Sequence, residues 1–361
     1  MWAAAAAGEI DVLDRHSHPL TPALVCASAA LALAITTAGE QVYAQAAQAT
    51  SKAAWTPKLE EPQPGEVEIL PVRGNVHVIM GAGGNVTVQT GEQGILLVDT
   101  GTAAMSEKVW AAVQKIAPPR KVLRYVINTT ENPEHTGGNA FIAAKGQTVP
   151  LREANYTAGP QGTINYNRAS VVSHQNVLNR MSAPTGEKAP TPPEAWPDNT
   201  YAIDQKRFYF NDEPVVMMNF PGNTDGNTIV FFRKSDVIST GDLIDLTRYP
   251  LIDLKAGGSI QALVTSLNKL IDLCVPESHG AGGTMIIPGH GRIADHAEVA
   301  YYRDMTYIIR DRVQDMISKN MTLAQIKAAR PTRDYDVRYG TTTGSWTTDM
   351  FVEAVYQSLR K

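Results

Sequence analysis

Short apolar runs separated by glycine-bearing turns open the first patterned region of the chain. "VEILPV", "NVHVIM", "NVTVQT" and "GILLVDT" follow one another from Val67 to Thr100, with Gly81 to Gly84 and Gly91 to Gly94 between them. Such runs, bounded by glycine, predict strands of an antiparallel meander. Met105, Val109, Val113 and Ile116 then recur at helical spacing and predict a helix. "VLRYVIN" reads as the next strand, and "ASVVSH", "VVMMNF", "TIVFF", "DVIST" and "TMIIPG" as further ones. Between the last two, Ser259 to Leu273 sets Ile260, Leu263, Val264, Leu267, Leu270 and Ile271 on one face, the pattern of an amphipathic helix. Beyond about residue 297 the pattern is helical throughout. Tyr302, Ile309, Val313 and Ile317 mark a long helix, Thr322 with Gln325 caps a short one, and Phe351, Val355 and Leu359 mark the last. Strands, a helix and strands again, twice over, predict two sheets packed face to face with helices outside.

The amino-terminal region does not fit this pattern. Leu20 to Ala38, "LTPALVCASAALALAITTA", is apolar and rich in small residues, follows Arg15, His16 and His18, and leads into "VYAQA". That layout predicts a cleaved secretory signal over residues 1–44 and a periplasmic or secreted protein. A retained anchor is the alternative, but Thr, Ser and Ala make the run weakly hydrophobic for a stable span. Residues 45–64 read as a linker, 65–300 as the main domain, and 301–361 as a helical extension that either covers the sheet or forms a homodimer surface. Pro-rich Ser182 to Pro197 is the one long irregular insert, expected to act as a lid with Trp196 as its contact residue.

Composition narrows the classes. The 361 residues are 43% hydrophobic and 19% charged with a net charge of −4, ordinary for a globular protein with a sizeable core. No long basic run is present, so nucleic acid is not an expected partner, nor is a membrane once the signal is removed; a small-molecule substrate is. Of the 2 cysteines, Cys26 lies in the signal, which leaves Cys274 without an intrachain disulfide partner.

Candidate chemistry gathers at strand ends. Glu134 and His135 follow "LRYVI", Asp242 follows "ISTG", and His290 follows "IIPG". Residues at like ends of neighbouring strands converge in space. Two imidazoles and two carboxylates balance the charge of a divalent ion and suit zinc, or iron or manganese with added water. Asp99 is expected to hydrogen-bond the loop that carries His135, and Asp225 to shape its own turn. His174 reads as structural or pocket-lining, and His77, His279 and His296 as structural or surface. Tyr249, Lys255 and Arg292 are candidate substrate contacts.

"LLVDTG", "TTENPEHTGGN", "GNTDGN", "STGD" and "IPGHG" occur in that order. The frame resembles that of the metallo-β-lactamase superfamily, whose signature is a strand followed by His-x-His-x-Asp-His and Gly-Gly-Asn. The resemblance spans residues 65–300 and implies an α/β, αββα four-layer sandwich of two mixed β-sheets with helices outside, here with a carboxy-terminal helical extension. It also implies where the family's two metals would sit. The residues at the first, three-histidine site are Thr130, Asn132 and Asn223, which are poor ligands. Those at the second are Glu134, His135, Asp242 and His290, all capable ones. The substitutions fall in one site and spare the other, which implies one divalent metal at the second site, zinc first, with iron or manganese as alternatives. Glu134 stands where the family has Asp; its extra methylene adds about 1.5 Å of reach, so it is either a ligand with an adjusted rotamer or a base.

The expected function is an exported, mononuclear, metal-dependent hydrolase of an ester, lactone, amide or lactam. In it the ion polarises the scissile group and activates water, Glu134 or Asp242 takes up a proton, and Asn132 or Asn223 donates a hydrogen bond to a developing oxyanion. The alternatives are a non-catalytic ligand-binding pseudoenzyme and an iron-dependent redox enzyme.

Overall fold

Strands β1 (Glu68–Arg73), β2 (Val76–Met80), β3 (Val86–Gly91) and β4 (Gly94–Val98) form the expected meander, each antiparallel to the next. The structure, a computed structural model, describes residues 62–148, 167–184, 189–279 and 282–360. The signal expected over residues 1–44, and the linker over 45–64 apart from its last three positions, lie outside the described residues. Helix α1 (Ser106–Ile116) lays Val109, Ala112 and Val113 on the outer face of the sheet and returns the chain to β5 (Leu123–Ile127), parallel to β4. Two short helices, α2 (Pro133–Thr136) and α3 (Asn139–Ala143), follow at once. Strand β6 (Ser170–His174), helix α4 (Gln175–Ser182) and strand β7 (Asn199–Tyr201) complete a sheet of order β1-β2-β3-β4-β5-β6-β7.

The second sheet contains β8 (Gln205–Phe210), β9 (Glu213–Asn219), β10 (Thr228–Phe232), β11 (Val237–Asp245) and, after helix α5 (Ile260–Leu273), β12 (Met285–His290). Its order is β12-β11-β10-β9-β8, antiparallel except for β11 with β12. That parallel pair needs a crossover, which α5 supplies. Leu263, Leu267 and Leu270 of α5 are fully buried, each contributing about 1.5–3 kcal/mol of burial free energy.

Three apolar layers separate the elements. Val78, Leu96, Val98 and Ile127 of the first sheet meet Val215, Met217, Val230 and Ile287 of the second. The outer face of the first sheet packs on α1, and that of the second on α5 and the carboxy-terminal helices. This is the αββα arrangement expected. A polar tie crosses the central layer where Thr87 Oγ1 donates to Ser239 Oγ at 3.1 Å.

The carboxy-terminal extension contains α6 (His296–Ser318), α7 (Leu323–Ala329), α8 (Asp336–Tyr339) and α9 (Thr348–Leu359). Tyr302, Met305, Ile309, Phe351 and Val355 join one core with Ile229, Ile238 and Ile286 of the second sheet, so the extension covers that sheet. No helix among the described residues is long and apolar enough to cross a membrane.

Two strands were not in the sequence pattern. β7 has only 3 residues. β8, "QKRFYF", is an edge strand whose alternate positions are charged or polar and exposed; charge on an edge discourages pairing with a further strand. Of the expected lid, residues 185–188 lie outside the described residues. In its later part Trp196 Nε1 donates to Thr191 O at 2.8 Å, and Ala195 O accepts from Asn139 Nδ2 at 2.9 Å. Trp196 packs beside Val177 and Met181 of α4.

Candidate metal centre

Each strand of the first sheet that runs into the site ends on a residue with a structural task. β4 stops at Val98, and Asp99 takes a left-handed backbone, φ 65. Its Oδ1 accepts from Thr129 N at 2.8 Å and its Oδ2 from Thr129 Oγ1 at 2.6 Å, which fixes the loop leaving β5. That loop enters α2 through Asn132, whose Oδ1 caps Glu134 N at 3.0 Å while Pro133 supplies the fixed φ suited to a first helical turn. The cap aims His135 inward, where it is fully buried. Gly84 lies flat against the ring: a Cβ there would stand 2.5 Å from His135 Cε1.

The second sheet supplies the opposite wall. Gly241, φ 51, carries β11 past Thr129 and presents Asp242. His290 is the last residue of β12, and the turn around it is held by Asn85, whose Nδ2 donates to Pro288 O and Gly291 O, both at 2.9 Å.

His135 bridges two carboxylates. Its Nδ1 is 2.8 Å from Asp99 Oδ2 and its Nε2 is 2.9 Å from Asp242 Oδ1. Burial pulls the imidazole pKa down, but Asp242 and Asp99 overcome it and hold the pKa well above 6.5. Burial likewise works to raise the Asp242 pKa, and His135 and His290 hold it well below 3.8. His290 Nε2 lies 3.4 Å from Asp242 Oδ1 and 3.3 Å from Glu134 Oε2. Against its burial, the two carboxylates raise its pKa to about 9. His290 in turn lowers the Glu134 carboxyl to about 2 against partial burial, with Arg248 adding to the effect.

His135, Asp242 and His290 each place a ligand atom within 4.8 Å of the other two, the only such cluster of three among the described residues. Glu134 is outside it. Two observations fit a metal here. His290 Nε2 is buried and, despite the nearby carboxylates, has no aligned hydrogen-bond partner. Asp99 engages the far nitrogen of His135, which leaves Nε2 toward the cluster; a carboxylate in that position fixes the tautomer of a metal-binding histidine.

The remaining candidates have distinct placements. Asn132 Nδ2 donates to Asp242 Oδ2 at 3.1 Å. Asn223, in the turn between β9 and β10, is 1% exposed, and neither atom of its amide has a hydrogen-bond partner. Thr130 is buried, with its hydroxyl 3.5 Å from Glu131 Oε2. His174 caps α4 by accepting from Asn176 N at 3.3 Å. Asp225 accepts from Asn176 Nδ2 at 2.8 Å and pairs with Arg180, which also pairs with Glu131 at 3.2 Å. Tyr249, expected as a substrate contact, is instead buried: its ring stacks on Phe351 at 4.8 Å and its hydroxyl lies 3.1 Å from Thr332 O and 3.0 Å from Asp336 Oδ1, its one proton shared between the two acceptors. Its sequence neighbour Arg248 faces the site, with Nη2 3.1 Å from Glu134 Oε2 and Nε 2.6 Å from Asp245 Oδ2. Sequence reasoning passed over Arg248. The available signal was its three-residue spacing from Asp245 at the end of a site-forming strand.

His135 on α2, Asp242 within β11 and His290 at the end of β12 thus form a His-Asp-His cluster that could hold a metal ion, in a fold of two sheets flanked by helices. The chain belongs to the metallo-beta-lactamase superfamily, whose family model matches residues 79–293. Among solved structures it is similar to the stereoselective inverting sec-alkylsulfatase Pisa1 from Pseudomonas sp., at 15% identity and TM-score 0.54 over 81% of this chain and 50% of that one. A double mutant of the same sulfatase gives 14% identity and TM-score 0.56 over the same shares. The chain thus spans about half the length of these sulfatases. A metallo-beta-lactamase from Pontibacter korlensis matches at 14% identity and TM-score 0.48, over 67% of this chain and 99% of that one. A search of curated protein sequences finds no match.

Proposed function

We propose that the protein is a metal-dependent hydrolase working with a single divalent ion at His135, Asp242 and His290, zinc first among the candidates. The observation that carries this reading is the convergence of those three ligand atoms within 4.8 Å. Bound there, the ion supplies Lewis acidity at the scissile group. The chain's own residues supply the rest. Asp99 orients His135, and Asn132 steadies Asp242 through its amide. Asn223, with its buried amide unspent, donates to the oxygen on which negative charge develops. Glu134, paired to Arg248, accepts a hydrogen bond from the attacking water and orients it. The substrate class is an ester, lactone, amide or lactam. The apolar run Leu20 to Ala38 supports export of the protein to the periplasm or beyond.

Metal analysis of the purified chain, paired with a hydrolysis panel, tests the reading. The panel holds an aryl ester, a lactone, an amide, a β-lactam and an alkyl sulfate, the last because the fold is shared with a sulfatase. About one equivalent of zinc with turnover of at least one compound, both lost in His290→Ala, is the expected result. Turnover that survives complete metal removal would overturn it. One observation favours a second reading, a binding protein without turnover: Asp99, His135 and Asp242 already satisfy one another as an ion triad. Ligand binding undiminished in chelator, with no turnover, would select it.

A further inference from the structure

Arg248 is held from behind. Its Nε donates to Asp245 Oδ2 at 2.6 Å, and Asp245 is buried with Oδ1 accepting from Thr247 N at 2.9 Å and Thr247 Oγ1 at 2.6 Å. The following residue, Tyr249, is locked by its stack on Phe351 and by its hydroxyl, which lies between Thr332 O and Asp336 Oδ1. The guanidinium therefore presents Nη2 from a fixed base. Its partner is less constrained: Glu134 sits on a four-residue helix with its side chain 41% exposed.

The pairing bears on coordination. Glu134 Oε2 is 3.3 Å from His290 Nε2, so a carboxylate oxygen stands beside the cluster, yet Glu134 lies outside the converging set. Three protein ligands with one open position make a catalytic zinc site, whereas four close it. We propose that Arg248 latches Glu134 away from the ion and so keeps one coordination position open to substrate. Arg248 is thus a positioning residue, acting through Glu134. The inference rests on a single ion at His135, Asp242 and His290, and the test below separates the two claims.

Cobalt(II) is titrated into the metal-free full chain, with the visible absorption band reporting coordination and a competing chelator reporting affinity. Wild type should take up one equivalent. Glu134→Gln should give the same band and unchanged affinity, because the carboxylate is not a ligand. Arg248→Met should shift the band and bind about tenfold tighter, the scale on which neighbours of metal ligands act. The double variant Arg248→Met/Glu134→Gln should return to the wild-type band. An unaltered band in Arg248→Met would overturn the latch while leaving the single-ion reading intact. So would a weakened, altered site in Glu134→Gln alone, since Glu134 would then already be bound. Failure of wild type to bind cobalt would overturn both. If Arg248→Met does not fold, Arg248→Lys, which cannot bridge Asp245 and Glu134 with one planar fork, should show the same band shift; no shift would overturn the latch.

Discussion

Asp99 and His135 meet side chain to side chain inside the protein, 2.8 Å apart and both almost wholly buried. The carboxylate comes from the end of β4 and the imidazole from α2, so the contact joins two loops of the first sheet. Its chemical effect is to engage Nδ1 of His135 and so turn Nε2 toward Asp242 and the cluster.

Asp99→Asn should therefore weaken metal binding without removing a ligand. The expected loss is about 10–100-fold in affinity, measured by competition with a chromophoric chelator, with the far-ultraviolet circular dichroism of wild type. Unchanged affinity would show that the carboxylate does not govern the ring.

Gly84→Ala should act on the same ring from its face. The added methyl would stand 2.5 Å from His135 Cε1, and overpacking of this kind costs about 1–3 kcal/mol. The melting temperature should fall, and metal affinity should fall with it. A variant as stable as wild type would mean that the ring has room to retreat.

An ion bound only by the folded chain stabilises it by mass action. At a free concentration 100 times its dissociation constant the gain is about 2.7 kcal/mol. Zinc should raise the melting temperature of wild type accordingly, and His290→Ala should abolish the rise. An equal rise in the variant would place the ion elsewhere.

Cys274 gives a pH test remote from the site. Burial, with Asp236 adding, pushes its thiol to about 12 from an ordinary 9.0. Above about pH 9 the unfolded chain loses this proton while the folded chain keeps it, so stability should fall as pH rises toward 12. Cys274→Ala should lack this part of the alkaline decline. Alkylation of the native thiol at neutral pH should be slow, and fast in denaturant; rapid native labelling would contradict the burial.

Tyr249→Phe should keep the stack on Phe351 and lose the hydrogen bond that one proton shares between Thr332 O and Asp336 Oδ1. The expected cost is about 1 kcal/mol, read from denaturant unfolding. No loss would mean that the hydroxyl is not a brace.

What the sequence made legible was whatever has a local period. The meander of β1 to β4 and the apolar stripe of α5 recur at spacings visible along the chain, and both were found. β7 is too short for a period, and β8 carries Lys206 and Arg207 where a buried strand would be apolar. In the site, the placement of His135, Asp242 and His290 directly after apolar runs could be read off strand by strand. The pairing of Arg248 with Glu134 spans 114 positions, and no local pattern encodes it. The burial of Tyr249 is hidden for a related reason: a polar residue in a loop beside the site gives no sign that a helix a hundred residues later will cover it.

His135 comes from α2, which follows β5 of the first sheet, and Asp242 and His290 from β11 and β12 of the second. A growing chain that has emerged only as far as β10 owns one of the three donors, and the last arrives with position 290. Capture of an ion there can only follow the docking of both halves, so a loaded centre would certify that the two sheets have closed on one another.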